Sequence, residues 1–161
     1  MKCYIDQSGK IENTKNLTVV AYSNGKSKSL KISAVEKRKL IGVFKKLDFK
    51  SKVYIYKIFA GLIFLLIRDS KIVDLVVDKE YPGHEPLIKD IIIKLFEKSK
   101  YNAPNIHFDL IGKENNAHVI AIETFRGNLK ADIIINSKDI ISLFYGKKIG
   151  RSSHSRWDIL S

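Results

Sequence analysis

Asn24-Gly25, set between two strand-like runs, constrains this chain more than any other short stretch. Leu17–Ser23 (LTVVAYS) precedes it, and Ser27–Ser33 (SKSLKIS) follows with Leu30 and Ile32 alternating against Lys and Ser. An Asn-Gly pair accepts the positive φ angles of a tight turn, so strands on both sides of it make the strongest short-range hairpin signal. Residues 2–6 (KCYID) carry Cys, Tyr and Ile with weak alternation. Asp6-Gln-Ser-Gly9 supplies turn residues behind them. The first 33 residues therefore predict a three-stranded antiparallel meander.

Helical periodicity takes over at Ser33. Ser33-Ala-Val-Glu36 has the spacing of a capping box. Leu40, Val43, Phe44 and Leu47 then form one face, with Lys37, Arg38, Lys39, Lys45 and Lys46 on the other. Asp48 to Lys52 is a polar break. Val53 to Ile67 (VYIYKIFAGLIFLLI) mixes β-branched and aromatic residues over a length that suits a buried helix, and it reads as one. Within it Tyr54, Tyr56 and Phe59, interleaved with Lys52 and Lys57, read as a buried aromatic stripe, with a base-stacking platform as the alternative. Ile72–Asp78 (IVDLVVD) is nearly continuously apolar, as a parallel strand buried on both faces would be. Pro86 opens a helix as a first-turn proline. Ile106–Ile111 predicts a strand, Glu114–Phe125 a helix ended by Gly127, and Ala131–Asn136 a short strand or extended piece. Ser137 caps a last helix that Gly146 ends. An antiparallel meander feeding a parallel layer is a mixed α/β sheet. Residues 1–146 are expected to form a single domain and residues 147–161 a basic tail carrying Trp157.

Charge narrows the partner. Lys and Arg number 29 against 17 acids, a net charge of +12, which favours an anionic partner and nucleic acid first. The lone cysteine, Cys3, excludes an internal disulfide and a cysteine-based metal cluster. The most apolar run is 15 residues long, contains Lys57 and falls short of the ~20 that a membrane span needs. The N-terminus lacks the apolar stretch of a signal peptide, so a cytoplasmic location and no membrane partner are expected. Oligomeric state stays open between a monomer and a homodimer.

Two acids end predicted strands: Asp6 the first, Asp78 the run from Ile72. If those strands are adjacent and parallel, both carboxylates meet at the carboxyl edge of the sheet, where open α/β sheets bind ligands. Facing carboxylates repel unless a cation lies between them, and Mg²⁺ or Mn²⁺ takes such oxygen ligands. Each acid also has a plain structural alternative. Asp6 can cap its own turn and Asp78 can be a solvated strand-end acid. Glu80, His84 and Glu85 follow Asp78 closely enough to reach the same edge as substitute ligands. Asp74 shares the face of Asp78 by its period of two, where a lysine-paired structural role is expected, and Asp109 reads similarly. No glycine-rich phosphate loop, Gly-x-Ser-x-Gly elbow or zinc-spaced histidine pair occurs.

Together these residues resemble the ribonuclease H-like superfamily. YIDQSG is similar to its first-strand motif, which ends on an acid, and to poorly characterised members that open Ile-Asp-Glu-Ser-Gly. Glu36 falls where the family carries a glutamate one turn into the helix after the meander. Asp78-Lys-Glu-Tyr81 resembles the family's Asp-Ser-x-Tyr. Asn116-Ala-His118-Val-Ile-Ala121 resembles the opening of its last helix, with His118 in the place of an acid. The chain departs from the pattern at Gln7, at the extra element over residues 49–68, and at His118. The resemblance implies a mixed five-stranded sheet of order β-β-β-α-β-α-β-α, plus an extra helix and a C-terminal β-α addition. It implies a Mg²⁺- or Mn²⁺-dependent nuclease acting on RNA or DNA by two-metal hydrolysis. Asp6, Asp78, Glu36 and His118 would then be both the catalytic and the metal-binding residues, His118 as a ligand or as the group orienting water. Glu36 has a competing explanation in the capping box with Ser33, and His118 in an ordinary helix surface. A non-catalytic nucleic-acid-binding or assembly protein on the same fold is the alternative, and a protein-interaction domain with incidental charge a third.

Overall fold

The computed structural model describes residues 2–47 and 52–146, so the basic tail and Trp157 lie outside the described residues. Along the described chain run β1 (Lys2–Ser8), β2 (Thr18–Ser23), β3 (Ser27–Ile32), α1 (Ala34–Leu47), α2 (Val53–Ile67) and β4 (Asp74–Asp78). They are followed by α3 (Glu85–Glu97), β5 (Asn105–Asp109), α4 (Asn116–Phe125), β6 (Ile133–Ile135) and α5 (Ser137–Tyr145). The strands form one mixed sheet in the order β5-β4-β1-β2-β3-β6.

The meander is antiparallel as expected, but β1 does not end at Asp6: Gln7 and Ser8, read from the sequence as turn residues, continue the strand opposite Val20 and Val19. β1 and β2 are antiparallel with Asp6 opposite Ala21, and β2 and β3 are antiparallel with Ser23 opposite Ser27. That register makes the hairpin loop Asn24–Lys26, closed by the Asn24 N–H donating to the Lys26 carbonyl at 2.9 Å, with Gly25 at φ +96°. β4 runs parallel to β1 with Val77 beside Ile5, and β5 runs parallel to β4 with Asp109 beside Asp78. The sheet has six strands rather than five. The short Ile133–Ile135 run, expected as an addition outside the sheet, pairs parallel to β3 and extends it.

Alternation sorts the sheet's two faces. Cys3, Ile5, Val20, Leu30, Ile32, Leu75, Val77 and Ile106 join one apolar core with residues of α1, α2, α3 and α5. Val19 and Ala21 point the other way and pack with Ala121 of α4. The result is helix on sheet on helix, the layering that buries both faces of a mixed sheet. α2 is the helix expected from its length, and every side chain from Ile58 to Ile67 is buried. Its Gly61 marks a close crossing with α5, because a Cβ there would lie 3.1 Å from Ile140 Cδ1.

Two expectations change locally. The cap of α5 is Asn136, not Ser137: the Asn136 side chain accepts from the Asp139 N–H, and the Asp139 carboxylate accepts from the Asn136 N–H. Lys37, expected on the solvated face of α1, is fully buried. The β1–β2 loop folds over it, and its ammonium donates to the Lys10 carbonyl (3.0 Å), the Asn13 carbonyl (2.7 Å) and Thr18 Oγ1 (3.0 Å). No helix among the described residues is long and apolar enough to cross a membrane.

Candidate metal centre

Parallel pairing of β1 and β4 puts Asp6 next to Asp78 at the carboxyl edge of the sheet. Glu80 joins them through a tight turn, its N–H donating to the Asp78 carbonyl at 2.8 Å, while the Lys79 N–H is held by the Asp109 carbonyl. One carboxylate oxygen from each of Asp6, Asp78 and Glu80 lies within 4.8 Å of the other two.

Two of the acids, Asp6 and Asp78, are fixed from behind. Asp6 is 3 % exposed. Its Oδ1 accepts from the Gln7 N–H at 2.8 Å, and its Oδ2 lies 2.7 Å from His118 Nδ1. Asp78 Oδ1 accepts from the Ile111 N–H at 2.8 Å, which ties the end of β4 to the chain beyond β5. Tyr81 braces the loop after Glu80. Its hydroxyl accepts from Gln7 Nε2 (3.1 Å) and the Ile11 N–H (3.4 Å), and it donates to Glu12 Oε1 at 3.4 Å.

Crowding one buried and two half-buried carboxylates together is unfavourable while they are charged. Burial raises the pKa of Asp6; its bonds to His118 and the Gln7 N–H oppose this, and the Asp78 charge adds to it. Glu80 is pushed up to about 7, mainly by burial. Lys10 opposes that shift, while the charges of Asp78 and Asp6 and a hydrogen bond with Asp78 add to it. A cation among the three would remove the repulsion.

The donor set suits a hard divalent ion. Mg²⁺ binds oxygen at ~2.1 Å in an octahedron, so two of its ligands are at most ~4.2 Å apart. Oxygens within 4.8 Å of one another need little movement to meet that span.

His118 stands on the first turn of α4, which starts where the Asn115 side chain accepts from the Ala117 N–H at 2.9 Å. Its side chain is 28 % exposed and contacts Asp6 rather than adding a fourth member to the acid cluster. With Asp6 ionised and the ring neutral, Nδ1 would carry the proton and Nε2 would be left as an acceptor.

Glu36 is not brought to this edge. Its Oε1 accepts from the Ser137 N–H (2.8 Å) and Ser137 Oγ (3.1 Å), and Oε2 pairs with Lys39 at 3.0 Å. Those bonds, the Ser137 N–H first, lower its pKa. Ser33 Oγ does accept from the Glu36 N–H at 3.2 Å, so half of the expected capping box exists, but the carboxylate serves the start of α5 instead.

Of the three substitute ligands, geometry selects Glu80. His84 stacks on Tyr56, and Glu85 Oε1 accepts from the Gly83 N–H. Asp74 accepts from Asn105 Nδ2 at 3.2 Å, where a lysine partner was expected. Asp109, at the end of β5, accepts from the Leu110 N–H. Lys10, absent from the sequence-based candidates, is the cation that acts on Glu80. Its place in an exposed loop after Gly9 carries no sequence signal.

No family model, curated protein or solved structure matches the chain.

Proposed function

We propose that this chain is a Mg²⁺- or Mn²⁺-dependent nuclease that hydrolyses nucleic acid phosphodiester bonds, on a sheet of ribonuclease H-like order. One observation carries the reading: Asp6, Asp78 and Glu80 converge within 4.8 Å at the carboxyl edge of the sheet. The position of β1 between β2 and β4, with β4 and β5 parallel to it, supports the fold assignment. The net charge of +12 supports a polyanionic substrate.

Asp6, Asp78 and Glu80 would hold the ions. Divalent ions bound there would supply charge neutralisation to a phosphodiester undergoing displacement. The protein's own groups do the rest. His118 Nδ1–H and the Gln7 N–H fix both oxygens of Asp6, so its remaining lone pairs point in set directions. In the neutral ring with Nδ1 protonated, His118 Nε2 would accept a proton from water at the site's rim. Lys10, on the loop beside Glu80, supplies positive charge for a phosphate that approaches the acids.

A non-catalytic nucleic-acid-binding protein is the second reading. It is favoured by His118, which stands where the family resemblance has an acid and leaves three carboxylates instead of four.

Labelled RNA–DNA hybrid, branched DNA and single strands incubated with Mg²⁺ or Mn²⁺ separate the two. Cleavage by the wild type that falls at least 100-fold in both Asp6→Asn and Asp78→Asn is the expected result. Binding that survives both substitutions, with no substrate cut by the wild type, leaves the second reading standing alone.

A further inference from the structure

His84 occupies the N-cap of α3, where Ser, Thr, Asp or Asn would accept a hydrogen bond from the first turn. It makes no such bond. Its ring instead stacks on Tyr56 of α2, with centroids 4.1 Å apart and planes 20° from parallel. His84 is exposed, Tyr56 half-buried. The stack is anchored. Tyr56 meets Tyr81 edge-on at 5.7 Å, Tyr81 meets the buried Phe59 at 5.3 Å, and the Tyr81 hydroxyl is bonded to Gln7, the residue after Asp6.

The ledge is tied to the acid cluster by a short stretch of chain. His84 is four residues beyond Glu80, a reach of at most ~14 Å for a fully extended chain. Lys10 stands over the Tyr81 ring at 5.7 Å. Glu85, the nearest acid in the chain, is turned back onto the Gly83 N–H. An exposed ring on a fixed stack, with a lysine and a catalytic edge close by, is what an unpaired base needs: a π-face to lie on and a cation for its phosphate.

We propose that His84, backed by Tyr56, is a base-stacking platform that selects single-stranded nucleic acid beside the acid cluster. This rests on the nuclease reading for its substrate, and it names the substrate class. A base inside a duplex is covered by its neighbours and offers no free face, so the platform discriminates against blunt duplex.

The test is binding of a single-stranded oligonucleotide, and of a blunt duplex of the same sequence, to the full chain in EDTA, where no cleavage occurs. Stacking on one aromatic side chain is lost on alanine substitution as roughly a 5- to 100-fold fall in affinity. His84→Ala is expected to weaken single-strand binding by that factor and leave duplex binding within twofold. His84→Phe keeps a ring without a charge and is expected to stay within threefold of wild type. His84→Lys supplies a positive charge without a ring and is expected to fail as alanine does. A 2-aminopurine in the strand is expected to be quenched by wild type and His84→Phe only. Single-strand binding by His84→Ala within twofold of wild type overturns the proposal, as does rescue by His84→Lys equal to that by His84→Phe. Absence of any binding by the wild type overturns it together with the nuclease reading. Binding with the expected His84 pattern, but no cleavage when Mg²⁺ is restored, overturns the nuclease reading alone.

Discussion

At the scale of single residues, Glu80 and Lys37 carry the sharpest consequences. Glu80 titrates near 7 in the fold against 4.5 ordinarily, so the folded chain retains a proton that the unfolded chain releases between about pH 4.5 and 7. Without metal, stability therefore falls as pH rises through that window. Glu80→Gln is expected to reduce that fall, read by denaturant unfolding in EDTA at pH 5 and pH 8. If the acids hold a metal as proposed, Mn²⁺ is expected to stabilise the wild type at pH 8 and to stabilise Glu80→Gln less. An unchanged pH slope contradicts the burial assigned to Glu80. Lys37 runs the other way. Burial pulls it from 10.5 down to about 8, so its contribution to stability rises with pH between those values. Lys37→Met strands three acceptors in the β1–β2 loop, and charged hydrogen bonds contribute about 1.5–3 kcal/mol each before compensation. A net loss of about 2–4 kcal/mol at pH 7, with the pH 8 to 10.5 rise abolished, is expected from urea melts. Asp6 and Asp78 were legible in the sequence because each closes an apolar run. Glu80 was legible only as one of three neighbours, since local contacts decide among them: a turn bond to Asp78 for Glu80, a stack on Tyr56 for His84 and the Gly83 N–H for Glu85. The burial of Lys37 was not legible. Its helical neighbours Arg38 and Lys39 are solvated, and only the loop across it takes it out of water.

At the scale of elements, α2 organises one side of the sheet. Its residues alone did not separate helix from strand, because Val, Ile, Tyr and Phe favour strands while a 15-residue length favours a helix. Burial on nearly every side explains the absence of a clean apolar stripe. Where it crosses α5, Gly61 leaves room that Ile140 and Phe144 fill. Gly61→Val is expected to lose about 1–3 kcal/mol through overpacking. Gly42→Ala in α1, whose Cβ would meet nothing within 4 Å, is expected to gain about 0.5–1 kcal/mol. Thermal melts of the pair check both; equal shifts would mean the crossing is not tight. β6 shows what local pattern leaves out. Three isoleucines make a strand only because β3 offers them an edge, and pairing between distant segments leaves no mark in either segment alone.

At the scale of the whole molecule, the site is a product of topology. Asp6 and Asp78 are far apart in sequence and meet because β4 returns parallel to β1 after two helices. The sequence could state that adjacency only as a condition, since pairing between distant strands leaves no mark in either strand alone. Glu36 is the counterpart. It lies where a family pattern places a ligand, yet the sixth strand and α5 draw its carboxylate to Ser137. The proposed metal centre therefore rests on three carboxylates and one histidine behind them. Diffraction from crystals soaked in Mn²⁺ tests it most directly, through the anomalous signal of the ion. A peak bonded to carboxylate oxygens of Asp6, Asp78 and Glu80, and lost in Asp6→Asn crystals, is the expected result. Crystals soaked to saturation with no peak among these acids, or with the Lys10 ammonium seated there instead, would contradict it.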